Sequence, residues 1–421
     1  MLNTKDTTPN FLRQLCMISF LCISVLVTML GALGITGIVR TGIMALLVYA
    51  PALLILVMLS KPFPFEALVI LAAVALIYQF TTFVHPEYIE FVEEEMWRYV
   101  VSIYGGIIGY FFIRMSDDPA VIQKVLIISA CVLFAGSFMQ SIEAIRTGYW
   151  EMTVNGTTLQ QNYSMSFGYN MLLPSTIFLF YGLRNKNRFF IILSLVGGLE
   201  IFMLGSRAAA MSLVLFGVLY LLLISSRITA KKHSGIIIVV FLLIILMFVF
   251  FYEDILLLIS GLFQSIGFKS RTVARMLDGS FADDKIRSEM WQKTLELISS
   301  NPFFGKGFLS DRYFIGNYCH NIALELFLNF GFFAGGAIII FLIYHTIKML
   351  FRCKNADWLG IFLVFFSCCF LRLLVSYSFW RDTNFWMAVG VYVSWRKASK
   401  PSLEQKNTLK QSGINAKWVR R

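Results

Sequence analysis

Four side chains in this 421-residue sequence carry the strongest chemical signal, three arginines and one histidine, set at the edges of apolar runs or on the one long polar loop. Arg207 sits in Gly205-Ser206-Arg207-Ala208-Ala209-Ala210. Small neighbours let the backbone turn tightly and bring an anion close, and a guanidinium grips an anion through paired hydrogen bonds. The competing reading is an arginine whose stem lies along the bilayer and whose head reaches lipid headgroups. Arg287 stands four residues before Trp291, so the two share a face if this stretch is helical. A solvated helix face is its competing reading. Arg372 lies inside Phe370-Leu371-Arg372-Leu373-Leu374, a costly place for a charge that binds nothing. His320 follows Cys319 and precedes Asn321. An imidazole there can take or give a proton near neutral pH. The alternative is a helix-entry residue, with Asn321 as the cap.

These residues need elements to hold them, and composition says which kind. Hydrophobic residues make up 58% of the chain and charged residues 14%, against about half and about a quarter in soluble domains. Mean hydropathy is +0.72. Apolar runs long enough to cross a hydrocarbon core of about 30 Å recur throughout, without the alternation of barrel strands. The expectation is an all-α polytopic membrane protein. About twelve spans are expected, near 14–32, 38–59, 66–84, 98–114, 121–140, 169–183, 189–204, 207–225, 235–258, 322–347, 358–377 and 382–395. The net charge of +12 gathers in short turns and the C-terminal tail, a pattern that orients a chain in a bilayer and does not mark a nucleic-acid partner. The N-terminal apolar run lacks a small-residue cleavage site and reads as a first span. Seven cysteines show no ligand spacing, Cys353 lies in a basic turn and only Cys319 falls in a polar outer loop, so no structural disulfide is expected.

Loops between the spans alternate in character. One set is short and basic, carrying for example Arg184, Lys186 and Arg188, then Lys348, Arg352 and Lys354. The other holds Arg40, the acidic run Glu90 to Glu95, the polar segment from Ser141 to Gly168, a long stretch after Asp254, and Arg381. Basic short loops mark the cytoplasmic side, so both termini are expected inside and the long loop outside. Four regions follow: N-terminal spans over 1–254, an extracytoplasmic loop over 255–321, C-terminal spans over 322–395 and a basic tail over 396–421.

Within the long loop a helix is predicted from Lys285 to Ser300. Asp283 and Asp284 start it, Ile286, Met290, Leu295 and Ile298 form its apolar stripe, and Asn301-Pro302 stops it. Gly305 and Gly307 allow a tight turn, either a plain one or one that brings backbone to a ligand. Lys269, Arg271 and Arg275 form a further basic group, for which a solvated loop competes with anion binding. Glu200, seven residues before Arg207, shares its face if one helix runs through both.

The sequence has no Gly-rich nucleotide loop and no outward-facing group with metal-ligand spacing. Nucleotide sugars and ATP are scarce outside a cell. An outward-facing enzyme of this composition therefore calls for a pre-activated donor that arrives in the membrane, such as a lipid-linked sugar diphosphate. Arginines can stabilise the charge that develops on a leaving diphosphate, and His320 can deprotonate an acceptor hydroxyl.

Taken in order, Gly-Ser-Arg-Ala-Ala-Ala, a long outer loop with Arg287 and Trp291, Asn301-Pro302-Phe303-Phe304-Gly305-Lys306-Gly307-Phe308, His320-Asn321, and a Gly-rich span resemble the O-antigen ligase and O-antigen polymerase superfamily. The likeness is strongest over about Leu199 to Gly336. It implies a GT-C type helical glycosyltransferase, an undecaprenyl-diphosphate-linked glycan donor, and inverting transfer without a metal or other cofactor. It also implies roles for Arg207, Arg287 and His320, whereas Arg372 rests on its burial alone. The reading adopted from sequence is a polymerase of O-antigen, capsule or exopolysaccharide in a bacterial inner membrane. Its partners would be the donor, a glycan acceptor, the bilayer and a chain-length regulator protein. A polymerase holds two lipid-linked glycans, and Lys269, Arg271 and Arg275 would serve the second. The alternative is a ligase that passes the finished glycan to lipid A-core. A rival of another class is a flippase or transporter, which would line a midplane cavity with charge. Apart from Glu200 and Arg372 the spans look nearly free of charge.

Overall fold

The fold was analysed in a computed structural model, which describes residues 7–58, 63–101, 104–147, 150–154, 157–161, 164–225, 252–265, 273–274, 277 and 285–399. Arg271, Arg275, Lys269, Asp283 and Asp284 lie outside the described residues, as does most of the expected span 235–258.

The chain is an all-α multi-pass membrane protein. Six described helices are long and apolar enough to cross a bilayer, or seven if the first bent pair, Asn10–Leu21 and Ile23–Ala32, is one span bent by 64°. The expected count of about twelve is not what the described residues show. Thr383–Ala398 has 16 residues and Arg188–Leu204 has 17. At 1.5 Å per residue they reach about 25 Å, short of the hydrocarbon thickness. The expected span 98–114 is broken into a π-turn at Trp97–Val101 and a short helix at Ile108–Arg114. The described residues also include one β-hairpin, Trp150–Val154 paired antiparallel with Thr157–Gln161.

The helices are numbered here in chain order. The N-terminal set is α1 Thr7–Leu21, α2 Ile23–Ala32, α3 Gly37–Met44, α4 Ala50–Met58, α5 Phe63–Val84, α6 Ile89–Met96, α7 Ile108–Arg114 and α8 Pro119–Thr147. Then come α9 Met165–Asn185, α10 Arg188–Leu204, α11 Arg207–Tyr220 and α12 Tyr252–Ser265. The C-terminal set is α13 Lys285–Ser300, α14 Ser310–Ile315, α15 Ile322–Phe330, α16 Gly336–Arg352, α17 Ala356–Val375 and α18 Thr383–Ala398.

Polar residues between the apolar runs start these helices. Ser164, Asn187, Ser206, Asn321, Asn355 and Asp382 each accept a hydrogen bond from a backbone N–H in the first turn of the helix they precede. In a low-dielectric bilayer those N–H groups would otherwise go unsatisfied. Helix α17 is central, with 67% of its apolar window buried, against 11% for α5, which faces outward.

Contacts at both ends of α9 and α17 fix the bundle's polarity. Arg184, late in α9, donates to Asp357 at the start of α17 at 3.0 Å. Tyr169, early in α9, lies against Arg372, late in α17. The pair is therefore antiparallel. The end that holds Tyr169 and Arg372 also gathers the starts of α11, α15 and α18. The opposite end holds Arg114, which is bound to Glu66, Asp117 and Ser394.

Candidate functional site

The site is assembled by the chain between Lys285 and Asn321, folded onto the end of the bundle near Arg372. Helix α13 forms over the predicted residues. Its buried face runs through Met290, Trp291, Thr294, Leu297 and Ile298, while Leu295 is 55% exposed. The stripe expected from apolar residues alone thus misassigned Leu295. Thr294 takes a core position because its hydroxyl is satisfied by the Met290 carbonyl at 2.7 Å.

The run Asn301–Phe308 is a strap laid on the break between α15 and α16. Lys306 N–H donates to the Leu328 carbonyl at 2.7 Å, Gly307 N–H to Asn329 at 3.1 Å, and Phe332 N–H to Pro302 at 2.8 Å. Gly305 and Gly307 are left-handed, with φ of 76° and 89°. A Cβ on Gly305 would stand 2.5 Å from the Gly331 nitrogen. The close backbone approach that these glycines permit is to the protein's own chain.

The strap and α13 deliver His320. Trp291 donates its indole N–H to the Cys319 carbonyl at 3.0 Å, fixing the residue just before the histidine. Cys319, which the sequence sets in a polar loop, is fully buried. Burial pushes its pKa well up, and the Asp311 and Glu325 carboxylates push the same way. On the other side Asn321 caps α15 and donates to the Leu374 carbonyl at 3.2 Å. His320 between them adopts φ 55°, an uncommon backbone for a non-glycine residue. Its ring lies 4.3 Å from that of Tyr318. Arg287, half-buried, stands one turn before Trp291 on the face that meets this segment.

Below this segment lies a buried ionic cluster. Arg312 Nη1 donates to both Asp311 carboxylate oxygens at 2.8 Å and to Glu325 Oε1 at 3.1 Å, and its Nη2 donates to Ser378 Oγ at 2.7 Å. Burial opposes the Arg312 charge, but the two carboxylates override it and hold the guanidinium's pKa above its ordinary value. Glu325 opens an apolar span, so the expectation of nearly charge-free spans overlooked it.

Arg372 completes the arrangement. Its guanidinium carbon lies 3.8 Å from the Tyr377 ring centroid and 4.4 Å from that of Tyr169, and Nη1 is 3.5 Å from Asp382 Oδ2. A planar guanidinium suits such a sandwich, and an ammonium would not. Tyr377 is also 5.7 Å from Tyr318, so an aromatic path joins Arg372 to His320. Arg207 starts α11 on the same end. A Cβ on Gly168 would lie 2.7 Å from the Ser206 nitrogen, and the next residue, Tyr169, touches Arg372. Glu200 does not serve Arg207 along one helix, because α10 ends at Leu204; it accepts a hydrogen bond from Ser141 at 3.0 Å.

The geometry therefore brings Arg207, Arg287, Arg372 and His320 to one end of the bundle. Sequence reasoning missed Arg312, Tyr318, Tyr377 and Asp382. The available signal was Glu325 and Asp382, carboxylates at span edges that require a cationic partner.

Fold and site together define a helical multi-pass membrane protein with a cationic, aromatic-lined site at one end. Residues 189–339 match the family described as O-antigen ligase. The chain is also 25% identical over 295 residues to the ComP-specific O-oligosaccharyltransferase of Acinetobacter baylyi (strain ATCC 33305 / BD413 / ADP1), which is 63% of this chain and 50% of that protein. The chain thus spans about half the length of this curated relative. Its resemblance to O-antigen ligases thus rests on the matched segment 189–339.

Proposed function

We propose that the protein transfers a glycan from an undecaprenyl-diphosphate-linked donor to an acceptor hydroxyl at the outer face of the inner membrane, as a ligase does. The observation that supports this reading is the path from His320 through Tyr318 and Tyr377 to Arg372, an imidazole and a guanidinium linked by two aromatic rings. In the step envisaged, the acceptor oxygen attacks the anomeric carbon while its proton passes to His320. The bond to the diphosphate breaks with inversion, and the electron pair leaves on the diphosphate. Arg207, Arg287 and Arg372 stabilise that charge.

Ligation is preferred to the polymerisation expected from sequence, because the matched family and the curated relative both carry names for transfer to an acceptor. The second basic cluster that would favour a polymerase, Lys269, Arg271 and Arg275, lies outside the described residues and lends it no support. A flippase reading is disfavoured by Arg207, Arg312 and Arg372, which sit at helix ends and not along a midplane path. The outward orientation rests on the basic turns of the opposite end, among them Arg184 to Arg188 and Lys348 to Lys354, which would face the cytoplasm together with both termini. A GT-C type scaffold accommodates this reading.

The product of a deletion strain tests it. Long glycan left on the carrier lipid supports a ligase. Single repeat units on the surface lipid would instead indicate a polymerase, and normal glycan on its acceptor would remove both readings.

A further inference from the structure

The strap Asn301–Phe308 carries two exposed phenylalanines, Phe303 and Phe304. Two more, Phe332 and Phe333, are exposed on the π-turn Gly331–Gly335 that separates α15 from α16. The two pairs adjoin. Phe303 stacks on Phe333 with ring centroids 5.4 Å apart, and Phe304 meets Phe333 edge-on at 6.4 Å. Lys306, the one charge of the strap, turns instead to the Phe314 ring at 6.0 Å. Sequence reasoning places the strap in an extracytoplasmic loop, where a patch of phenylalanine rings facing water is costly.

Two helices fix the height of this patch independently. The apolar stretch Ile322–Arg352 has 31 residues. At 1.5 Å per residue it would reach about 46 Å, well beyond a hydrocarbon core of about 30 Å. One end of it must lie outside the hydrocarbon. Exposure shows which. Ile340, Phe341, Ile343, Tyr344, Ile347 and Phe351 are exposed along α16, as far as its cationic end at Arg352. In α15 every apolar side chain is buried or half-buried, and Glu325 and Asn329 are buried with them. Hydrocarbon therefore covers α16, and the 20 residues from Phe333 to Arg352 reach about 30 Å. Helix α5 gives the same level. Its apolar window Phe65–Val84 has 20 residues and is only 11% buried, so it faces lipid and spans about one hydrocarbon thickness. Glu66 at one end of it binds Arg114 at the far end of the bundle. Near the other end, the Thr81 hydroxyl accepts the Phe308 N–H at 2.9 Å. The strap thus lies where both lipid-facing helices end.

We infer that the strap is a membrane anchor: Phe303, Phe304, Phe332 and Phe333 insert among the bulk acyl chains of the leaflet at the site end, and α15 stands above the hydrocarbon. Acyl chains are the occupant because the patch continues the lipid-facing stripe of α16 without a break. The strap is bonded to the Leu328 and Asn329 carbonyls of α15 and runs into α14, which holds Arg312. From the patch, α15 leads back over nine residues, about 13 Å, to His320. The anchor thereby ties the His320 segment to the membrane surface. It does so whatever reaction the site performs.

Spin labels read the height of the patch directly, without any glycan transfer. The full-length protein carries Phe304→Cys or Phe333→Cys together with Cys131→Ala, which removes the one exposed native thiol; the other cysteines are buried. Each variant is nitroxide-labelled in nanodiscs of phosphatidylcholine and phosphatidylglycerol, and its collision rates with oxygen and with a polar nickel chelate are measured by power saturation. Glu90→Cys, exposed on α6, supplies the aqueous reference. Both phenylalanine positions are expected to show an oxygen-to-nickel ratio at least about fivefold that of the reference, because hydrocarbon admits oxygen and excludes a polar chelate. A ratio equal to the reference at either position puts the patch in water and overturns the inference. A label shielded from both reagents puts a second copy of the chain over the patch and overturns it too. Only variants that elute as the wild type does on gel filtration are read. The two positions lie on separate segments, so if one variant misfolds the other decides. Failure here would leave the transfer reading to its own deletion-strain test, and a failed deletion-strain test would leave a measured anchor standing.

Discussion

Trp291 donates its indole N–H to the carbonyl of Cys319 at 3.0 Å, so a helix of the long loop grips the residue directly before His320. The bond spans 28 positions of sequence and closes the loop onto the bundle. Trp291→Phe keeps the ring and removes the donor. The variant is expected in the membrane at normal abundance, with glycan transfer lowered by about tenfold if His320 is the base proposed above, because an ångström of misplacement there is costly. Transfer at the wild-type rate would show that the bond does not position His320.

Cys319 offers a chemical probe of the same packing. Its burial raises the thiol pKa, so the reactive thiolate is scarce even where an exposed cysteine, with a pKa of about 8.5, is half ionised. In native membranes a membrane-impermeant thiol reagent should leave Cys319 unlabelled at neutral pH and at about pH 9, and should label it after unfolding. The sign follows: the folded state favours the neutral thiol, so this group's contribution to stability is present below the unfolded pKa and is lost as pH rises through the folded one. Fast labelling of native protein would contradict the buried placement.

Arg312 holds two carboxylates together in a buried cluster. Removing one partner of such a cluster leaves uncompensated charge, a cost of about 3–5 kcal/mol. Arg312→Ala should therefore lower the thermal midpoint of the purified protein markedly. Arg312→Lys should recover part of the loss, since it keeps the charge but not the fork that reaches Asp311, Glu325 and Ser378 together. An unchanged midpoint in Arg312→Ala would mean the cluster contributes little.

Arg372 is held between two tyrosine rings with Asp382 beside it. Arg372→Lys retains the charge and loses the planar stack, so transfer should fall by about tenfold while membrane levels stay normal. Full activity of the lysine variant would show that charge alone suffices there.

Much of this was legible in the sequence, and the exceptions have physical causes. The α13 helix was readable from Lys285 to Ser300 because its stop at Asn301-Pro302 is local chemistry. The convergence of Arg207, Arg287, Arg372 and His320 on one end followed from loop alternation. What stayed hidden depends on contacts between distant segments. Nothing near Arg312 announces that Glu325, thirteen residues on, and Ser378, sixty-six on, complete its shell. The Gly305–Gly307 turn reads the same whether its backbone approaches a ligand or Gly331, and only the fold selects the second. Hydropathy marked α10 and α18 as spans because both are apolar, but at 17 and 16 residues they are shorter than a bilayer crossing needs.

The central claim is that Arg207, Arg287 and His320 act as one transfer site. The most direct measurement is the amount of glycan on its acceptor in a deletion strain carrying Arg207→Ala, Arg287→Ala or His320→Ala, with membrane levels of each variant checked. Each variant is predicted to reach the membrane and to lower the product by about a hundredfold or more, the scale of a lost general base or charge clamp. Wild-type amounts of product from all three variants would contradict the account.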